Sequence, residues 1–117
     1  MITGAHAIIH CTAAEEARAF LSDVFGFPSV DAGHGWLIFA LPPAEAAVHP
    51  TDGPAHHELY LMCDDLQATM ADLEARGARC GPVTEQRWGL VTSVAVPGGA
   101  ELGLYEPRHP TAISLSE

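Results

Sequence analysis

Lysine is absent from the chain. Its positive charge rests on five arginines against fifteen acidic residues, for a net charge of −10 at pH 7. A surface of that sign repels a phosphate backbone, so nucleic acid is excluded as the expected partner. It leaves a neutral or cationic small ligand, because negative surfaces favour cations near their clefts. Cysteine is scarce. Cys11, Cys63 and Cys80 are odd in number and never in CxxC spacing, which excludes a disulfide framework and a cysteine-rich zinc site. They read as buried, reduced thiols of a cytoplasmic protein. No apolar run approaches the roughly 20 residues of a membrane span, and no basic-then-apolar leader pattern opens the chain, so no membrane partner is expected.

What is present describes a folded domain. Apolar residues make up 48% of 117, with mean hydropathy +0.14, enough for one core spanning residues 1–117. Thr12 to Glu15 has the S/T-x-x-E form of a capping box. Ala17, Phe20, Leu21, Val24 and Phe25 then follow the spacing of a one-faced helix, which Gly26 stops. Downstream, Asp64 or Asp65 caps a second helix with Leu66, Met70 and Leu73 on its apolar face, stopped by Gly77.

Each helix follows an apolar strand candidate, "AHAIIHC" or "HELYLMC", and the two halves match at an offset of about 52, the kind of self-similarity that marks a repeat. Trp36 in "GWLIFALPP" and Trp88 in "RWGLVTSVAVPGG" fall at that offset. Each segment is followed by a last short strand, "AEAAVHP" or "AELGLYEP"; "FPSVDAGHG" and "ARCGPVTEQ" supply the remaining strands. The expected fold is α+β: two βαβββ modules, about 1–52 and 53–110 with a tail at 111–117, forming a curved mixed sheet around a cleft. Helices cover one sheet face, and the other calls for a partner, so a homodimer is expected.

Two modules of this kind, with "HAIIHCTAAEEARAFLSDVFGF", "ELYLMCDDLQATMADLEARGA" and the closing "PGGAELGLYEPRHP", resemble the vicinal oxygen chelate superfamily. That group includes glyoxalase I, extradiol dioxygenases and bleomycin-binding resistance proteins. The resemblance covers nearly the whole chain. It implies metal ligands at the places of His6 and Glu58, 52 residues apart on equivalent strands, where members commonly carry histidine or glutamine and then histidine. It also implies a glutamate at the place of Gly103, which has no side chain. Glu101 shares that face two residues away, about 6.5 Å along a strand, and substitutes only if the register shifts or the strand bulges.

Residues alternate across a strand, so Glu58 and Tyr60 share one face while His57 points to the other, and His56 lies in the entering loop. His6, Glu58 and Glu101 are therefore the candidate metal ligands. The cleft is expected to be lined by His10, Trp36, His49, Tyr60, Trp88, Gly103 and Tyr105. Glu106 has the wrong parity for the cleft, and "PGG" reads as a hairpin turn because phosphate loops need a strand–loop–helix context.

Three functions follow. One is a small-molecule binding protein of the antibiotic-resistance type with a metal-free or weakly metal-binding cleft, favoured by the missing side chain at Gly103, the acidic charge and the two tryptophans. Another is a glyoxalase-like lyase or isomerase, or a dioxygenase, using Zn, Ni, Mn or Fe on a substrate with vicinal oxygens. A third is a non-catalytic structural dimer.

Overall fold

The fold is described from a computed structural model, which covers residues 6–9, 11–45, 47, 52–54 and 56–110. In chain order the elements are α1 (Ala14–Asp23), β1 (Ser29–Asp31), β2 (Leu37–Phe39), β3 (Tyr60–Met62), α2 (Leu66–Ala75), β4 (Thr84–Gln86), β5 (Gly89–Val96) and β6 (Ala100–Pro107). The protein is α+β. A mixed four-stranded sheet runs in the order β3-β6-β5-β4, with β3 parallel to β6 and the other pairs antiparallel. β1 and β2 form a separate antiparallel pair.

Alternation along β5 and β6 divides the large sheet into two faces. Val94, Val96, Leu102 and Leu104 turn to one side and are almost wholly buried. The helices cover that side: Leu66 and Leu73 of α2 pack with Val94 and Leu104, and Ala17 of α1 packs with Val96 and Leu102. Met70 packs against the same core, as the helical spacing requires. Cys63 and Cys80 join it as half-buried rather than buried thiols, and Cys11 is half-buried as well.

The helix ends show which local signals operate. Asp65 is the N-cap of α2, its carboxylate accepting from the Ala68 N–H at 3.1 Å. At the other end Gly77 has φ of 98°, and the Gly77 and Ala78 N–H groups return to the Glu74 and Leu73 carbonyls, the paired bonds of a Schellman motif. The expected capping box of α1 does not form. Its N-cap is Ala13, without a side-chain bond, because Thr12 donates both its N–H and its hydroxyl to the Gly98 carbonyl. That carbonyl belongs to the "PGG" turn joining β5 to β6, where Gly98 and Gly99 have φ of 95° and 92°.

Strand lengths differ more. β6 spans the whole of "AELGLYEP", but "GWLIFALPP" and "HELYLMC" yield three-residue strands, and residues 6–9 of "AHAIIHC" are outside any strand. Apolar pattern marks an extended segment, whereas a strand also needs a ladder partner, and that is set by the tertiary arrangement. Among the described residues no helix is long and apolar enough to cross a membrane.

Candidate functional site

The sheet face away from the helices carries the cleft. Ladder register places Tyr60, Gly103 and Ser93 side by side on β3, β6 and β5. A large side chain at the edge and two small ones in the middle leave a hollow. Residues 6–9 also border this open cleft of about 1030 Å³, along with Glu58, Tyr60, Glu101 and Gly103. The three candidate metal ligands thus border one cavity, along with two of the expected cleft residues. His10 and His49 lie outside the described residues.

The donors do not assemble into a metal set. Among the described residues, no group of three or more His, Cys, Asp or Glu side chains could hold one ion, whereas catalytic sites normally use three protein ligands. Glu58 is engaged by neighbours: its Oε1 is 3.3 Å from His56 Nε2, and it accepts a hydrogen bond from the Tyr60 hydroxyl. Glu101 remains where regular pairing puts it. The β5–β6 ladder runs unbroken from Gly89↔Pro107 to Val96↔Ala100, so the bulge needed to carry Glu101 to the place of Gly103 is absent. The place of Gly103 is itself taken, since a Cβ there would fall onto the Tyr60 ring. The described residues do not fit the metal that the resemblance implies.

Further expectations are corrected. His57 borders the cleft rather than turning away from it; His56 lies ahead of the strand as expected, with its Nε2 near Glu58. Regular alternation begins at Tyr60, where the ladder begins, so it does not turn His57 away from the cleft. Trp36 does not border the cleft. It is 67% exposed beside β2, with the Arg18 guanidinium 5.0 Å from its ring centroid in a cation–π contact.

Trp88 and Tyr105, expected to line the cleft, do not border it either; they stand behind Tyr60, the one aromatic side chain among the described residues on its border. Tyr60, Trp88 and Tyr105 meet edge to face, with centroids 6.0 Å (Tyr60–Trp88), 5.7 Å (Tyr60–Tyr105) and 5.3 Å (Trp88–Tyr105) apart. Tyr105 is buried, and the His109 ring stacks beside it. His109 Nδ1 lies 2.7 Å from the Pro110 carbonyl, which makes it the donor there; Nε2 is then the acceptor for the Tyr105 hydroxyl at 3.3 Å. This cluster was visible in part from the shared parity of Tyr60 and Tyr105; His109, beyond the strand, gave no such signal.

Protonation states follow from these contacts. The bond to Glu58, then burial, raises the Tyr60 phenol above its ordinary value, while burial and then the Glu45 charge raise Tyr105. Burial also pushes the Cys63 and Cys80 thiols up, which keeps them protonated and poorly nucleophilic. Glu106 is directed to the helix side, where its Oε1 accepts from the Leu66 N–H at 3.0 Å. Arg108 is paired with Glu85 at 2.8 Å.

No protein-family model and no curated protein matches the chain. Solved structures do. TnmS3, an antibiotic binding protein from Streptomyces sp. CB03234, is 28% identical over 88% of this chain and 99% of its own, with a TM-score of 0.60. A glyoxalase/bleomycin resistance protein from the same Streptomyces is 27% identical over 83% and 94% of the two chains, with a TM-score of 0.57. A member of the glyoxalase/bleomycin resistance protein/dioxygenase superfamily from Sphaerobacter thermophilus DSM 20745 is 20% identical over 90% and 98%, with a TM-score of 0.64. The chain has the vicinal oxygen chelate fold of the glyoxalase/bleomycin resistance proteins.

Proposed function

We propose that the protein binds a small organic molecule in the cleft of its four-stranded sheet, without needing a metal to hold it. The carrying observation is the cavity itself: about 1030 Å³, with an aromatic edge at Tyr60 and carboxylates of Glu58 and Glu101 at its border. Apolar walls with a few convergent polar groups are the usual make-up of a ligand site. The likeness to an antibiotic binding protein supports the same reading. We also infer a homodimer, because the helices cover only one face of the four-stranded sheet and a second copy would cover the other, where Ile8 beside the cleft is 69% exposed.

The test is calorimetric titration with a panel of drug-sized compounds on protein purified without a histidine tag, before and after chelator. Saturable one-to-one binding that survives chelation supports the reading. Stoichiometric Zn, Ni, Mn or Fe, lost on Glu58→Ala together with ligand binding, replaces it with a metal-dependent lyase or dioxygenase. Sedimentation of wild type and Ile8→Lys tests the dimer.

A further inference from the structure

The function proposed above leaves the class of ligand open, and the geometry around Gly103 narrows it. Tyr60 is held on three sides. Its ring lies over Gly103, where even a methyl group would collide with Cδ1, Cε1 and Cγ. Trp88 and Tyr105 meet it edge to face, at 85° in both cases. Yet the side chain is not consumed by this packing: Tyr60 remains 37% exposed and borders the cleft. An aromatic ring fixed by neighbours but open on the cavity side loses little freedom when a flat molecule lies on it, so the stacking energy is not spent on ordering the ring.

We propose that Tyr60 is the ligand-reading surface of the cleft, a preorganised aromatic floor selecting planar aromatic ligands, and that Gly103 is the positioning residue that lets the ring lie there. This inference rests on the small-molecule reading and makes it specific. It also moves the role expected of the tryptophans: Trp88 braces Tyr60 from the side, and Trp36 takes no part.

The experiment compares two monocations of different shape by calorimetry, planar 9-aminoacridine and globular 1-adamantanamine. Wild type should bind 9-aminoacridine the more tightly. Tyr60→Leu should weaken 9-aminoacridine about tenfold and leave 1-adamantanamine unchanged, since edge and face contacts between rings carry that order of energy. Tyr60→Phe, which keeps the ring, should stay within about threefold of wild type. Gly103→Ala should displace the ring and weaken 9-aminoacridine about fivefold; in the Tyr60→Leu background the same change should have no further effect, because the two residues act through one ring. A merely structural role for Gly103 predicts equal losses in both backgrounds and overturns its positioning role. If Gly103→Ala does not fold, the three Tyr60 forms decide the matter alone. Unchanged 9-aminoacridine affinity in Tyr60→Leu, with binding otherwise intact, overturns the aromatic floor and leaves the small-molecule reading standing. Failure of wild type to bind either probe, or any member of the wider panel, overturns both.

Discussion

Glu58 joins two titrating groups at the cleft edge, and the consequence is measurable. The Tyr60 phenol is raised chiefly by donating to Glu58; the His56 imidazole is raised first by the Pro54 carbonyl and then by Glu58. For both, the fold favours the protonated form. Each contribution is therefore complete below the group's ordinary value, near 10 for tyrosine and 6.5 for histidine, and fades as pH rises through the raised folded value. Glu58→Ala should lower both titrations together. His56 should keep the part due to Pro54, and Tyr60 should fall back toward free tyrosine. Histidine ring shifts by NMR and tyrosinate absorbance against pH read the two separately, and a Tyr60 curve unmoved by Glu58→Ala would break the link. Sequence reasoning singled out Glu58 by pairing it with His6; it parted Glu58 from His57 on strand alternation and left His56 in the entering loop. That rule holds only within a ladder, and the ladder starts at Tyr60. The i, i+2, i+4 spacing of His56, Glu58 and Tyr60 was the signal available.

Among the elements, α2 is pinned at both ends and α1 is not, which predicts where substitutions cost stability. Asp65→Ala removes the N-cap and should cost about 1 kcal/mol. Glu106→Ala orphans the part-buried Leu66 N–H and should cost about 1–3 kcal/mol, although Glu106 lies 40 residues away on β6. Gly77→Ala forces a side chain to φ of 98° and should cost about 1 kcal/mol. In contrast, Thr12→Ala breaks the tie to the Gly98 turn without removing a helix cap. Urea unfolding should show lower midpoints at constant slope for the three α2 variants; an unchanged midpoint for Glu106→Ala would mean water replaces the carboxylate at no cost. The apolar faces of both helices, the Gly77 stop and the hairpin at "PGG" were legible because each rests on local chemistry. The Glu106 cap was not. Parity correctly kept Glu106 out of the cleft, but what it meets on the far side depends on how β6 crosses the start of α2.

At the scale of the molecule, the charge of −10 acts on whatever approaches the cleft, whose border also carries Glu58 and Glu101. Shape selection by Tyr60 and charge selection by the field are separable, because stacking is nearly indifferent to salt whereas a field reaches only about one Debye length, roughly 30 Å at 0.01 M and 3 Å at 1 M ionic strength. Two acridines of the same outline, the cationic 9-aminoacridine and the anionic acridine-9-carboxylate, isolate the electrostatic part. At 0.01 M salt the cation should bind several-fold more tightly, and association should be the faster step affected. At 1 M salt the two affinities should draw together, with the residual affinity of both still sensitive to Tyr60→Leu. A preference for the cation that persists at 1 M salt would place the discrimination in direct contacts with the border carboxylates, because short-range pairs in a partly enclosed site are screened far less than a diffuse surface charge. A preference for the anion at low salt would contradict the reading of the acidic surface altogether.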